Sequence, residues 1–240
     1  MEALTNKIAL ITGGSKGIGY GIAEACVHQH MNVTITSRSK DAAEKAAASL
    51  NKAGKGSAIG FEADVRSAES QRKVVEAVLA KWGKVDVLIA NAGLGHFGPI
   101  ETITEHQWNE TIDTNLTGVF HSVQACLPAL RKSKGYVITI ASLAGTNFFA
   151  GGSAYNASKF GLVGFTQALM LDVRSQGIKV TTIMPGSVAT DFGGGHSDAK
   201  DNSWKIQSED IGQIVIDLLR MNPRTLPSKI EVRPSVVKGG

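Results

Sequence analysis

The 240-residue chain has little of what marks several large protein classes. It has two cysteines, Cys26 and Cys126, too few for a disulfide framework. Both fall in apolar helical patterns and read as small buried hydrophobes, which points to a reducing, cytoplasmic setting. No stretch approaches the roughly 18 consecutive apolar residues of a membrane-spanning helix. Met1–Lys7 runs straight into an apolar segment without the basic-then-apolar pattern of a signal peptide. Lys and Arg number 25 against 21 Asp and Glu, and no basic block suited to nucleic acid occurs. The six histidines show no metal-ligand spacing, so no metal is expected. With no internal repeat, low-complexity tract or Pro/Ser-rich linker, one domain spanning 1–240 is the expectation.

What is present is alternation. Apolar runs of strand length recur at Ile8–Ile11, Val33–Thr36, Ala58–Phe61, Val85–Ala90, Tyr136–Ala141, Ile178–Met184 and Ile230–Val232. Helical periodicity or composition fills the gaps, at Ile18–Gln29, Asp41–Lys52, Ala68–Trp82, His106–Arg131, Ala154–Ser175 and Ser208–Arg220. Near-continuous apolar strands between helices predict an α/β fold, a doubly wound Rossmann-type parallel sheet covered on both faces. Ligands of such sheets lie beyond the carboxyl ends of the strands. The unusual small and polar clusters fall there: the glycine turn after the first run, Thr36-Ser37-Arg38-Ser39 after the second, Asp64-Val65 after the third. Asn91-Ala92-Gly93, Ala141-Ser142 and Pro185-Gly186 follow the next three.

The turn reads Thr12-Gly13-Gly14-Ser15-Lys16-Gly17-Ile18-Gly19, between a strand and a helix. Its spacing is T-G-x-x-x-G-x-G rather than G-x-G-x-x-G. Strand, glycine turn and helix together are the context in which such a motif holds a dinucleotide. Glycine lets backbone approach a pyrophosphate, and the helix N-terminus offers free N–H groups. Far along the chain, Tyr155 and Lys159 stand four apart and share one helix face. Ser142 closes the apolar run upstream of them. A hydroxyl, a phenol and an ammonium form a metal-free device for moving a proton to or from an oxygen.

With these motifs assembled, the chain resembles the short-chain dehydrogenase/reductase family over nearly its whole length. The motifs are T-G-G-S-K-G-I-G at 12–19, N-A-G at 91–93, Asn115, Ser142, Tyr155-x-x-x-Lys159 and P-G-S-V-A-T at 185–190. The resemblance implies a seven-stranded sheet and, frequently, a tetramer. It implies that Asn115, Ser142, Tyr155 and Lys159 form a catalytic tetrad. Gly13, Ser15, Lys16, Gly17, Ile18 and Gly19 would lie against the cofactor. Asp64 and Val65 would hold the adenine above Asn91, Ala92 and Gly93, while Pro185, Gly186, Val188 and Thr190 would flank the nicotinamide, with Thr190 on its carboxamide. Tyr155 and Lys159 would also touch the cofactor. The implied chemistry is hydride transfer to a carbonyl with Tyr155 giving the proton. Its phenol, ordinarily near about 10, would be lowered by Lys159 and the oxidised nicotinamide. Ser142 would donate to the substrate oxygen, and Asn115 would hold a water linking Lys159 to solvent.

The second strand speaks to cofactor choice. An acid there would accept a ribose 2′-OH and repel a 2′-phosphate. This chain has Ser37, Arg38 and Ser39, with Lys16 as a second positive charge, so NADP(H) is expected. The substrate pocket is expected from Leu143, Phe148, Phe149, Ala150, Val188, Phe192 and Trp204, with a lid at about 188–207. His96 and Phe97 either touch substrate or face solvent. An apolar pocket suits a hydrophobic ketone or aldehyde as the small-molecule partner. Within the family the chain is similar to 3-oxoacyl-[acyl-carrier-protein] reductases, although its Glu231–Gly240 ending departs from their pattern. A non-catalytic NADPH-binding redox sensor is the reading from another class. A homo-oligomer, dimer or tetramer, is expected from the apolar faces of the two long helices, through Cys126, Leu127, Leu130, Val163, Phe165, Leu169 and Val173.

Overall fold

The computed structural model describes residues 4–192 and 202–236. Its strands are β1 (Ile8–Ile11), β2 (Asn32–Ser37), β3 (Ser57–Glu62), β4 (Val87–Ala90), β5 (Tyr136–Ile140), β6 (Lys179–Pro185) and β7 (Lys229–Val232). Its helices are α1 (Gly17–His28), α2 (Lys40–Ala53), α3 (Ala68–Trp82), α4 (Glu105–Ile112), α5 (Gly118–Ser133), α6 (Ser153–Val173) and α7 (Ser208–Arg220). All strand pairs are parallel, in the order β3-β2-β1-β4-β5-β6-β7. The strand order reverses between β1 and β4, which opens a crevice at their carboxyl ends.

The sheet is covered on both faces, and β1 shows why its sequence is apolar throughout. Ile8 and Leu10 enter one core, with Val78 of α3, Leu130 of α5 and Leu162 of α6. Ala9 and Ile11 enter the other, with Ile22 and Val27 of α1, Leu50 of α2 and Val215 of α7. Each fully buried Leu or Ile contributes about 1.5–3 kcal/mol, so a strand buried on both sides gains from apolar residues at successive positions. Cys126 belongs to the first of these cores and Cys26 to the second, on opposite faces, and both are free and buried.

Two expectations change. The single helix at 106–131 is three segments, because a widened π turn at Asp113–Thr117 separates α4 from α5. Such bulges gather at functional sites. Here the turn carries the fully buried Asn115. At its end Gly118 packs so tightly that an added Cβ would lie 2.7 Å from Val65. The supposed oligomer face also differs. Cys126, Leu130, Leu169 and Val173 are buried in the core beneath their own sheet, and Leu127, Val163 and Phe165 pack partly against it. The exposed apolar side chains of these helices are Phe120, Phe160 and Leu171. No helix among the described residues is long and apolar enough to cross a membrane.

Candidate active site

The crevice is a cavity of about 1380 Å³ along the carboxyl ends of the strands. One wall is the glycine turn, where Gly13, Ser15, Lys16, Gly17 and Ile18 line the space. Thr12 stitches this turn to the end of β4: its Oγ1 accepts from the backbone N–H of Asn91 (3.0 Å) and of Ala92 (3.1 Å). The Asn91 side chain reciprocates, donating to the carbonyls of Thr12 (2.9 Å) and Gly13 (3.0 Å). Gly13 has φ +64°, a left-handed backbone that favours glycine. Gly19 does not line the cavity; its hydrogen faces Asn91, where a Cβ would come within 2.5 Å of Nδ2. Helix α1 begins with no side-chain cap, so its first N–H groups are left for a ligand at this wall.

Ser37, Arg38, Ser39, Asp64 and Val65 line the far end, and Asn91, Ala92, Gly93, Lys159, Pro185, Gly186, Val188 and Thr190 the near end. Ser39 also caps α2, accepting from Ala42 N–H at 3.3 Å. Asp64 is held by a fork from Arg66, whose Nη2 lies 2.6 Å from Oδ2, and this pairing holds its carboxyl below the usual range. Arg38 is 65% exposed at its side chain and lies 3.6 Å from Glu110 Oε1.

At the near end the backbone positions the proposed tetrad residues. Ser142 ends β5 and caps the tight turn at Leu143–Gly145, its Oγ accepting from Ala144 N–H at 3.1 Å. Its hydroxyl is near enough to the Tyr155 phenol to favour the ionised form. Lys159, one helical turn after Tyr155, is buried; its Nζ donates to the Ile140 carbonyl at 3.0 Å and lies 5.7 Å from the Tyr155 ring centroid. Asn115 accepts from Leu94 N–H and donates to Leu94 C=O, both at 2.8 Å, and donates to Ser158 Oγ at 3.0 Å. Its side chain is thus committed to Leu94 and, through Ser158, to α6. Lys159, Ile140 and Ala141 line the cavity, whereas Ser142, Tyr155 and Asn115 are not among its lining residues.

Burial pushes the Tyr155 phenol up, and the Ser142 hydroxyl offsets this only in part. Burial also pushes the Lys159 ammonium down, to about 8. Desolvation, which disfavours the charged form of each group, is the first cause in both cases.

Aromatic rings roof the phenol. Phe97 packs edge-on against Tyr155 at 5.3 Å between centroids, Phe192 tilts against it at 5.6 Å, and Phe149 leans on Phe97 at 6.0 Å. Phe148 points to solvent at 86% exposure, and Trp204 lies outside the cavity lining. His96 lines the cavity, with its Nε2 2.8 Å from Glu110 Oε2. The lid expected at 188–207 is pinned at its base by pairing of Val188 with Ile206; residues 193–201 lie outside the described residues. Three contributors escaped sequence reading. Asn156 donates to the carbonyls of Ala144 and Asn147, both at 2.8 Å, tying the substrate loop to α6. Ser158 and Glu110 are the others. Only Asn156 and Ser158 left a signal, as polar residues inside the Tyr155–Lys159 motif.

The family model for short chain dehydrogenases matches residues 7–201. The chain belongs to this family. It is 35% identical over 203 residues to a 3-oxoacyl-[acyl-carrier-protein] reductase of Chlamydia muridarum, covering 84% of this chain and 82% of that one. It is 39% identical over 187 residues to the reductase of the same name from Salmonella typhimurium, covering 78% and 75%. Among solved structures it resembles an alcohol dehydrogenase from the archaeon Thermococcus sibiricus in complex with 5-hydroxy-NADP, with TM-score 0.90, 28% identity and coverage of 98% and 99%. A metagenomic short-chain oxidoreductase in complex with NADP follows at TM-score 0.85 and 30% identity, covering 98% and 100%. Family membership makes the chain an oxidoreductase. A nicotinamide dinucleotide fits the residues present: a long cavity, an uncapped helix N-terminus, and a turn whose glycines leave no Cβ in the way.

Proposed function

We propose that the protein is an NADPH-dependent reductase of a hydrophobic ketone or aldehyde. The observation that carries the reading is the buried Tyr155 phenol, influenced by the Ser142 hydroxyl, roofed by Phe97 and Phe192 and set beside Lys159. When bound, the nicotinamide supplies the hydride. The chain's own residues manage the proton. Tyr155, kept neutral by burial, is in the form that donates to a nascent alkoxide, and Ser142 shares the oxygen's charge as a second donor. Lys159 holds a positive charge near the phenolate left behind. Asn115 positions rather than reacts: it fixes Leu94 and, through Ser158, the start of α6.

Preference for NADP(H) rests on Ser37-Arg38-Ser39 after β2, where an acid would repel the 2′-phosphate. Asp64 and Val65 are assigned to the adenine, the glycine turn to the pyrophosphate, and Thr190 to the carboxamide. A second reading, reduction of a 3-oxoacyl carrier thioester, is favoured by the names of the Chlamydia and Salmonella relatives. The exposed Phe120, Phe160 and Leu171 support a homo-oligomer, which light scattering tests.

Absorbance loss of NADPH with a panel of aryl and alkyl ketones, aldehydes and an acyl-carrier thioester decides the substrate. Turnover confined to the free carbonyls supports the first reading, and turnover confined to the thioester the second. NADPH binding without turnover of any member would leave only the sensor reading.

A further inference from the structure

Glu110 lies at the end of α4 and meets three basic side chains. Arg38 Nη1 and Arg66 Nη1 each lie 3.6 Å from Oε1, while His96 Nε2 lies 2.8 Å from Oε2. Arg66 is already forked onto Asp64, so that pair is internally satisfied. Arg38 differs. Its contact with Glu110 is longer than a hydrogen bond, and its guanidinium is 65% exposed on the cavity wall. The formal charges of Arg38 and Arg66 balance those of Asp64 and Glu110. Asp113 adds a further negative field at Arg66. The two arginines at the far end of the cavity are therefore fully countered by neighbouring carboxylates.

We propose that Glu110 is a specificity-determining residue that competes with the cofactor's 2′-phosphate for Arg38 and so limits the preference for NADPH over NADH. This rests on the reading that Arg38 receives the 2′-phosphate. A phosphate monoester is close to dianionic at neutral pH and offers three acceptor oxygens to the guanidinium fork. The loose, exposed pair with Glu110 yields to it at little cost, since such pairs contribute little by themselves. What remains after the exchange is the Glu110 charge a few ångströms from the phosphate. That repulsion acts on NADPH and has no counterpart with NADH. The His96 hydrogen bond keeps the carboxylate in this position, because it fixes Oε2 while leaving Oε1 turned to the two arginines.

The test is a fluorescence titration of NADPH and NADH against wild type, Glu110→Gln, Arg38→Ala and the double variant. Glutamine keeps an acceptor for His96 while removing the charge. Glu110→Gln is expected to bind NADPH about threefold to tenfold tighter, the scale of one charge acting through a water-rich, salt-screened medium, with NADH unchanged. In the Arg38→Ala background the gain should shrink, because the shared partner is gone. Unchanged NADH affinity also reports an intact fold, and a purely structural role for Glu110 would move both cofactors together. If Arg38→Ala weakens NADPH but Glu110→Gln leaves it equal or weaker, the competition is wrong and the Arg38 assignment stands. A full gain in the Arg38→Ala background likewise overturns the competition. If Arg38→Ala changes NADPH binding no more than NADH binding, the 2′-phosphate reading itself fails, and the role of Glu110 with it.

Discussion

Asn115 and Leu94 hold each other by both backbone groups: the side-chain Oδ1 accepts from the Leu94 N–H and Nδ2 donates to its carbonyl, each at 2.8 Å. A side-chain amide here imitates a neighbouring strand. It fixes the loop that carries His96 and Phe97 at the cavity, and the π turn is what aims Asn115 inward.

Replacing Asn115 by alanine would leave the Leu94 groups without partners in a half-buried setting. The expected loss of unfolding free energy is about 3 kcal/mol, from roughly 1–3 kcal/mol per orphaned group. Urea denaturation measures it, and a loss below about 0.5 kcal/mol would mean the loop is held by other contacts.

Lys159 makes stability depend on pH in a definite direction. Its ammonium sits at about 8 in the fold against an ordinary 10.5, with burial the cause. Below about 8 both states carry the proton and the folded one bears the full cost of burying it. As pH rises towards 10.5 the folded side chain sheds its proton while the unfolded chain keeps it, so stability rises. Measured against Lys159→Met, wild-type melting temperature should gain ground between pH 8 and 10.5. A constant offset across that window would contradict the burial of a charged lysine.

Gly19→Ala tests the join between the glycine turn and β4. Its methyl would press within 2.5 Å of Asn91 Nδ2 and of the Gly13 carbonyl oxygen. The expected cost is about 1–3 kcal/mol of stability, with cofactor affinity weakened because the turn is displaced. Wild-type cofactor affinity in this variant would show that the join does not shape the binding wall.

Neither thiol should react in the native protein. Cys26 and Cys126 are fully buried and pushed up to about 12. An aromatic disulfide reagent should titrate no thiol before denaturation and two after it, matching the two cysteines in the chain. Rapid native labelling would mean that one helix opens away from the sheet.

Much of this architecture was legible in the residues, because a two-faced parallel sheet writes itself as apolar runs between helices. The positions of Ser142, Tyr155 and Lys159 followed from one strand end and one helical turn. The π turn at Asp113–Thr117 was not legible: helical composition continues through it, and contacts with Leu94 and Val65, distant in sequence, decide it. The apolar faces assigned to a partner were misread for a related reason. Periodicity marks Cys126, Leu130 and Leu169 as facing something apolar without saying that it is their own sheet. The upward push on the Tyr155 phenol needed three dimensions, since burial and the Ser142 hydroxyl act on it with opposite signs. Glu110 reads as an ordinary helix acid until Arg38, Arg66 and His96 are seen around it.

The central claim is that Tyr155 delivers the proton in an NADPH-driven carbonyl reduction. The direct measurement is NADPH oxidation by wild type and Tyr155→Phe with the best ketone of the panel, alongside NADPH binding by each. The account predicts turnover reduced by at least about a thousandfold with cofactor affinity within about threefold, as expected when a proton donor is removed and the binding walls stay intact. Wild-type turnover by Tyr155→Phe would contradict it.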